Sequence, residues 1–200
     1  CDGISFTYNE PAVWFEYTLE AAKLAKRHNL YTNYVTNASL TLEALALIAP
    51  YLDVFRPDLK GFSADTYQRL ADFNNFSQIL DVIDTAKNKY KMHVEVVTNI
   101  IPGYNDDSVE LANLTQWIKD KLGVDTPWHI TQFLPQYKLR HLMPTPLELL
   151  EEIAQIGINC GLRFVYIGNI PEHPLANTYC PDCHTVLIRR TRFATQELNI

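Results

Sequence analysis

Two hundred residues, 47% of them hydrophobic and 20% charged, suffice for one well-buried domain, or one domain with a small appendage. A formal net charge of -6 argues against a surface built to neutralise nucleic-acid phosphates. No apolar run approaches the roughly 18 residues of a membrane span, and Cys1-Asp-Gly-Ile lacks the basic region and cleavage site of a signal peptide, so a cytoplasmic protein is expected.

The first residue is not an initiator Met, and a strand-like run starts about three residues in, so the chain reads as part of a longer one. Ile4-Ser-Phe-Thr-Tyr-Asn-Glu-Pro11 is an apolar run with a polar tip. Val13, Trp14, Tyr17, Leu19, Ala21, Leu24 and Ala25 recur at helical spacing behind Pro11, predicting a helix to His28. Leu30–Thr36 reads as a strand, and Thr41–Ala49 as a helix stopped by Pro50. Asp53–Leu59 is the third strand, although Pro57 removes a ladder donor and implies an edge or a bulge. Helical patterns over Asp65–Leu70 and Ser77–Lys89 follow. Met92–Thr98 is the fourth strand, and Ile101-Pro-Gly-Tyr-Asn-Asp-Asp107 has the turn chemistry and capping acids for a helix from Val109 to Leu122.

Trp128–Phe133 gives a fifth strand, and Leu134–Met143 is long enough for a lid. Thr145-Pro146 caps a helix to Ile156, and Leu162–Gly168 is a sixth strand. Strict alternation of strands and helices predicts an α/β fold with a mostly parallel sheet, a partial (β/α) TIM-type barrel of about six strands over residues 1–168. Residues 169–200 form an appendage with a loop, the Cys180-Pro-Asp-Cys183 knuckle and a terminal hairpin containing Thr185–Arg190. In parallel α/β sheets, ligands meet the carboxyl ends of the strands. The polar tips Tyr8-Asn9-Glu10, Thr36-Asn37, Asp58-Leu-Lys60, Thr98-Asn99 and Thr131-Gln132 could therefore converge on one site.

These tips resemble one family in their order. Thr7-Tyr-Asn-Glu-Pro11, Val35-Thr-Asn37, Asp58-Leu-Lys60, Ile101-Pro-Gly-Tyr-Asn105, Phe133-Leu-Pro135 and Tyr179-Cys-Pro-Asp-Cys183 are similar to radical S-adenosylmethionine (SAM) enzymes like the pyruvate formate-lyase activating enzyme, and more narrowly to the radical SAM component of the AmmeMemoRadiSam system. The resemblance implies a partial barrel in which a [4Fe–4S] cluster, held by a CxxxCxxC loop, reductively cleaves SAM so that hydrogen is abstracted from a substrate. That loop has no counterpart among Cys1, Cys160, Cys180 and Cys183. The resemblance places it upstream of Cys1, making this chain a C-terminal fragment that is inactive as it stands.

By the same resemblance, Thr7, Tyr8, Asn9 and Glu10 stand where the family has Gly-Gly-Glu-Pro and receives the methionyl ammonium. Two glycines are replaced, which restricts the backbone, and Glu10 is also a plausible first-turn acid of a helix. Asp58 and Lys60 match the family's Asp-Leu-Lys motif. Side chains two apart on a strand share a face, so both can reach one ligand; the alternative is a surface ion pair. Thr36 and Asn37 are further candidates for the pocket, Asn37 also serving as a cap or turn residue. Activating enzymes carry Leu-Pro-Tyr-His where this chain has Leu134-Pro-Gln-Tyr137, and His129 is the nearby substitute, or else a core histidine.

Cys180 and Cys183 suit a tetrahedral zinc if His184, His173 or Cys160 completes the set; the other reading is a reduced or disulfide-bonded turn. Cys180–His184 also matches the CxxCH haem-attachment pattern, with no export signal to support it. Two rival functions remain open: a metal-independent barrel enzyme using the same tips, and a non-catalytic scaffold binding a partner through a sheet edge and the tail. The expected partners are an unidentified substrate, a protein among the candidates, and a second copy pairing through the exposed edge, with neither membrane nor nucleic acid.

Overall fold

The computed structural model describes residues 1–191 and 194–199. Seven parallel segments alternate with helices: β1 Gly3–Phe6, α1 Phe15–Arg27, β2 Tyr31–Thr36, α2 Leu42–Ile48, β3 Val54–Pro57, α3 Ala64–Ala71, α4 Phe76–Asp84, β4 His93–Val94, β5 Val96–Ile100, α5 Ser108–Trp117, β6 Trp128–Gln132, α6 Leu147–Cys160 and β7 Val165–Gly168. The order is β1-β2-β3-β4 in one sheet and β5-β6-β7 in a second. A bridge between Asp58 and Val97 joins them. Each crossover carries a helix, as parallel strands require.

The strands bury every second residue. Tyr34, Phe55, Val94, Ile100, Trp128 and Ile130 point to the helix side and are fully buried there against Leu45, Ile48, Ile79, Leu111, Leu114 and Leu150. Arg56, Asp58, Glu95, Asn99, His129 and Tyr166, on the other face, are only partly buried. The apolar layer therefore lies between sheet and helices, leaving the opposite face of the sheet polar. Helix starts follow local chemistry, with Thr41, Ser63 and Asp107 accepting the amides of Ala44, Thr66 and Glu110.

Three expectations change. Pro57 lies inside the sheet, paired in register with Thr36. The Asp58 N–H donates to Thr36 O on β2 and the Leu59 N–H to Val97 O on β5. Backbone groups alternate sides along a strand, so the Pro57 nitrogen faces the seam between β4 and β5, and the donor it lacks interrupts the ladder beside Glu95, whose own N–H still donates to Phe55 O. The strand read over Met92–Thr98 is for the same reason two segments. Helix α6 runs past Ile156 to Cys160 because Gly157 packs under Trp128 and the helix ends only at Gly161, which takes the left-handed conformation.

The loop after β6 is pinned at its base. Thr145 Oγ1 accepts from the Phe133 N–H at 2.9 Å and donates to Ile100 O at 2.6 Å, while Gln132 Nε2 donates to Thr145 O. Beyond β7, β8 Thr178–Tyr179, β9 Val186–Thr191 and β10 Ala194–Leu198 form a separate antiparallel sheet. Residues 192, 193 and 200 of the expected appendage lie outside the described residues. No helix is long and apolar enough to cross a membrane, among the described residues.

Candidate functional site

Eight of the nine residues expected to bind the cofactor line one open cleft of about 370 Å³ at the carboxyl ends of β1, β2 and β3: Thr7, Tyr8, Asn9, Glu10, Thr36, Asn37, Asp58 and Lys60, with Val35 completing the wall. His129 is not among them.

The turn after β1 shapes one wall. Asn9 N–H donates to Thr7 O at 3.0 Å, and the enclosed Tyr8 sits at φ 70° with its ring in solvent. A tyrosine thus adopts backbone that glycine adopts freely, at a cost on the order of 1–3 kcal/mol that surrounding structure must sustain. That structure is Glu10. Its Oε1 accepts from Thr36 Oγ1 at 2.6 Å and from the Ala12 N–H at 3.2 Å, and its Oε2 accepts from the Asn37 N–H at 2.7 Å. Thr36 Oγ1 in turn accepts from the Ala38 N–H. The carboxylate therefore clasps the tips of β1 and β2 together and keeps unused acceptor capacity on Oε2 for a donor in the cleft.

The tip of β3 supplies the other wall. Lys60 Nζ lies 2.9 Å from Asp58 Oδ2, both side chains being about one third exposed. Asp58 Oδ1 is buried with no hydrogen-bond partner among the described residues. A buried carboxylate oxygen left bare costs free energy until a donor arrives. The Lys60 main chain is held from behind: its N–H donates to the Tyr67 hydroxyl at 3.1 Å, and its carbonyl accepts from Asn105 Nδ2 at 2.7 Å. With Glu10 and Asp58 against Lys60, the cleft carries one net negative charge.

Sequence reasoning did not single out the cluster around Glu95. Its Oε1 lies 3.0 Å from His93 Nε2, its Oε2 3.0 Å from His129 Nε2 and 3.8 Å from Arg56 Nε. The hydrogen bonds from His129 and His93 hold the Glu95 carboxyl far below the usual carboxylate range, against the opposing effect of burial. The His129 ring also stacks on Tyr166, centroids 4.9 Å apart. His129 thus belongs to a charged row on the polar face, across β5 from Asp58, rather than to the cleft. The signal was present, since His93 and Glu95 alternate with Val94 and Val96, but nothing local reveals which strands lie beside β4.

Among the described residues no group of three or more His, Cys, Asp or Glu could hold a metal ion. All four cysteines are free thiols. The zinc expected at Cys180 and Cys183 finds no completing ligand among the described residues: neither His184 nor any other such side chain makes a group of three with them, His173 accepts the Leu175 N–H on Nδ1 and meets Glu151 through Nε2, and Cys160 lies against Gln116. The chain's own residues likewise do not fit a [4Fe–4S] cluster.

A parallel α/β sheet with a polar, anionic cleft at its strand tips defines a protein of the partial-barrel class. The model of the Radical SAM superfamily matches residues 1–115, which include every residue of the cleft, and the chain belongs to that superfamily. It is 36% identical over 200 residues to the uncharacterized protein MJ0808 of Methanocaldococcus jannaschii, covering all of this chain and 59% of that protein's length. Among solved structures it is similar to a domain of the pyruvate-formate lyase-activating enzyme of Bacteroides vulgatus, with TM-score 0.69 and 19% identity over 84% of this chain and 100% of that one. A radical SAM methyltransferase of Sphaerobacter thermophilus gives 0.70 and 14%, over 84% and 52%. TYW1 with a lysine-pyruvate adduct bound gives 0.57 and 17%, over 79% and 50%. At these identities the likeness is one of fold.

Proposed function

We propose that the cleft between the tips of β1, β2 and β3 binds SAM, and that the whole protein is an activating-enzyme-like radical SAM enzyme that abstracts hydrogen from a substrate, a protein being one candidate. The observation that carries the binding proposal is Asp58 Oδ1, a buried acceptor without a donor in a cleft whose other charges are already paired or clasped.

The chemistry of the donors and acceptors fits this ligand. SAM brings an ammonium, a sulfonium, a carboxylate and two ribose hydroxyls, hence a net positive charge that complements the net negative cleft. Asp58 would accept from the ribose hydroxyls or the ammonium, Lys60 would pair with the carboxylate, and the free capacity of Glu10 Oε2 would face the ammonium. Reduced by one electron, SAM supplies the 5′-deoxyadenosyl group that radical SAM enzymes use to abstract hydrogen. The residues of this chain bind and orient it; no electron-transfer step is assigned to them, since their thiols do not assemble a cluster site.

The test is titration calorimetry of SAM into the chain and its Asp58→Asn variant, with S-adenosylhomocysteine, which lacks the sulfonium charge, as control. SAM should bind the wild type, S-adenosylhomocysteine should bind more weakly, and Asp58→Asn should lose about tenfold or more in affinity with its urea midpoint nearly unchanged. Equal SAM affinities for wild type and variant would sink the assignment.

A further inference from the structure

The Cys180–Cys183 turn plays no part in the cleft, yet it is built with care. Cys180 N–H donates to Thr185 O at 2.8 Å and His184 N–H donates to Cys180 O at 2.9 Å, with His184 at φ 58° closing the loop. This doubles the chain back and sets Cys180 and Cys183 at the two ends of one tight turn. Thr185 Oγ1 lies 3.3 Å from Cys183 Sγ, accepting from the thiol and free to rotate and donate to the thiolate. Hydrogen bonds from the Thr185 side chain and backbone, with a smaller one from Cys180, hold the Cys183 thiol below its ordinary value.

The two sulfurs differ in surroundings. Cys183 is at the surface, where a dissolved molecule can reach it. Cys180 is half-buried and lines, with Arg163, Tyr166 and His184, a cavity of about 410 Å³ beside β7. Cys180 thus borders open volume rather than packed core. One exposed, activated thiol beside one sheltered thiol is the division of labour between an attacking and a resolving cysteine.

We propose that Cys180 and Cys183 form a redox-active dithiol that exchanges with the disulfides of low-molecular-weight thiols. The Cys183 thiolate attacks one sulfur of the external disulfide, whose S–S bond breaks; the other half leaves and takes up a proton. Cys180, giving up its proton, then attacks the Cys183 sulfur of the mixed disulfide, forming the Cys180–Cys183 bond and expelling the second thiol, which is also protonated. Two electrons pass from the turn to the external disulfide, and two thiol protons end on the released thiols.

The test exposes the chain to a series of reduced-to-oxidised glutathione ratios, blocks free thiols with a maleimide, and locates the products by intact mass and peptide mapping. The wild type should lose two hydrogens in a two-electron transition mapped to residues 180–183. Cys180→Ser should instead accumulate one glutathione on Cys183, and Cys183→Ser should carry severalfold less adduct on Cys180. In the reduced chain, Cys183 should be alkylated severalfold faster at pH 7 than the exposed Cys1. The proposal is overturned if no intramolecular bond forms at any ratio, if glutathione distributes evenly over Cys1, Cys180 and Cys183, or if stoichiometric zinc in the purified chain shields both thiols until a chelator is added. Circular dichroism of both serine variants matching the wild type excludes unfolding as the source of any difference.

Discussion

Asn105 Nδ2 donates to the carbonyl of Lys60 at 2.7 Å, and the same amide nitrogen donates to Asn99 O at 2.8 Å while Asn105 Oδ1 accepts the Ile101 N–H. One buried side chain thereby ties the tip of β3 to that of β5, across the seam where Pro57 leaves the ladder short of a donor. Asn105→Ala strips three main-chain groups of their partner. It should cost about 2–4 kcal/mol by urea denaturation and weaken SAM binding, although the residue does not line the cleft.

Glu10 tells a similar story with a sharper test. Its carboxylate accepts three hydrogen bonds that close the β1 and β2 tips. Glu10→Gln replaces one acceptor oxygen with a donor and sets an amide against another donor, such as the Asn37 N–H. A loss of about 1–3 kcal/mol in stability is expected, alongside weaker SAM binding. Unchanged stability with weaker binding would show that Glu10 serves the ligand alone and that the clasp contributes nothing.

Gly157 reverses the usual rule for helices. In an exposed helix, glycine to alanine gains about 1 kcal/mol. Here an added Cβ would stand 2.9 Å from two ring carbons of Trp128, which is fully buried. Overpacking costs about 1–3 kcal/mol, so Gly157→Ala should lower the melting temperature instead of raising it.

The Glu95 cluster predicts a pH dependence. Its carboxyl is depressed in the folded chain from an ordinary value of 4.5, so the unfolded chain binds its proton first as pH falls. The stabilisation is complete above about pH 4.5 and lost as pH drops toward the folded value. Glu95→Gln should therefore destabilise the chain at pH 6 more than at pH 3, read as urea midpoints; an equal effect at both would mean that the charge contributes nothing.

Strand and helix positions were legible because burial on one face of each strand leaves a period of two and the covering helices a period near 3.6. So were the cleft residues, as far as the ordered tips allowed. Tyr8 and Glu10 follow β1 and Asp58 and Lys60 follow β3, and parallel topology brings such strand ends to one side. What local pattern did not carry was lateral adjacency. Pro57 reads as an edge or bulge residue when its neighbours are unknown, and lies mid-sheet, where the donor it lacks interrupts the adjacent strand at Glu95. His129 reads as a substitute for a missing histidine and is instead held by Glu95 and Tyr166.

By itself, then, the sequence determined the α/β rhythm and the carboxyl-end location of the cleft, because these depend on periodicity, and its ordered motifs, through the family they resemble, picked out eight of the lining residues. The tertiary structure alone decided that Glu10 is clasped by Thr36 and Asn37, that Asp58 Oδ1 is left bare, that Asn105 bridges two strand tips, and that the two thiols of the Cys180 turn stand without further metal ligands among the described residues. Each of these depends on which distant segments become neighbours, and on whether a buried polar atom finds its partner there.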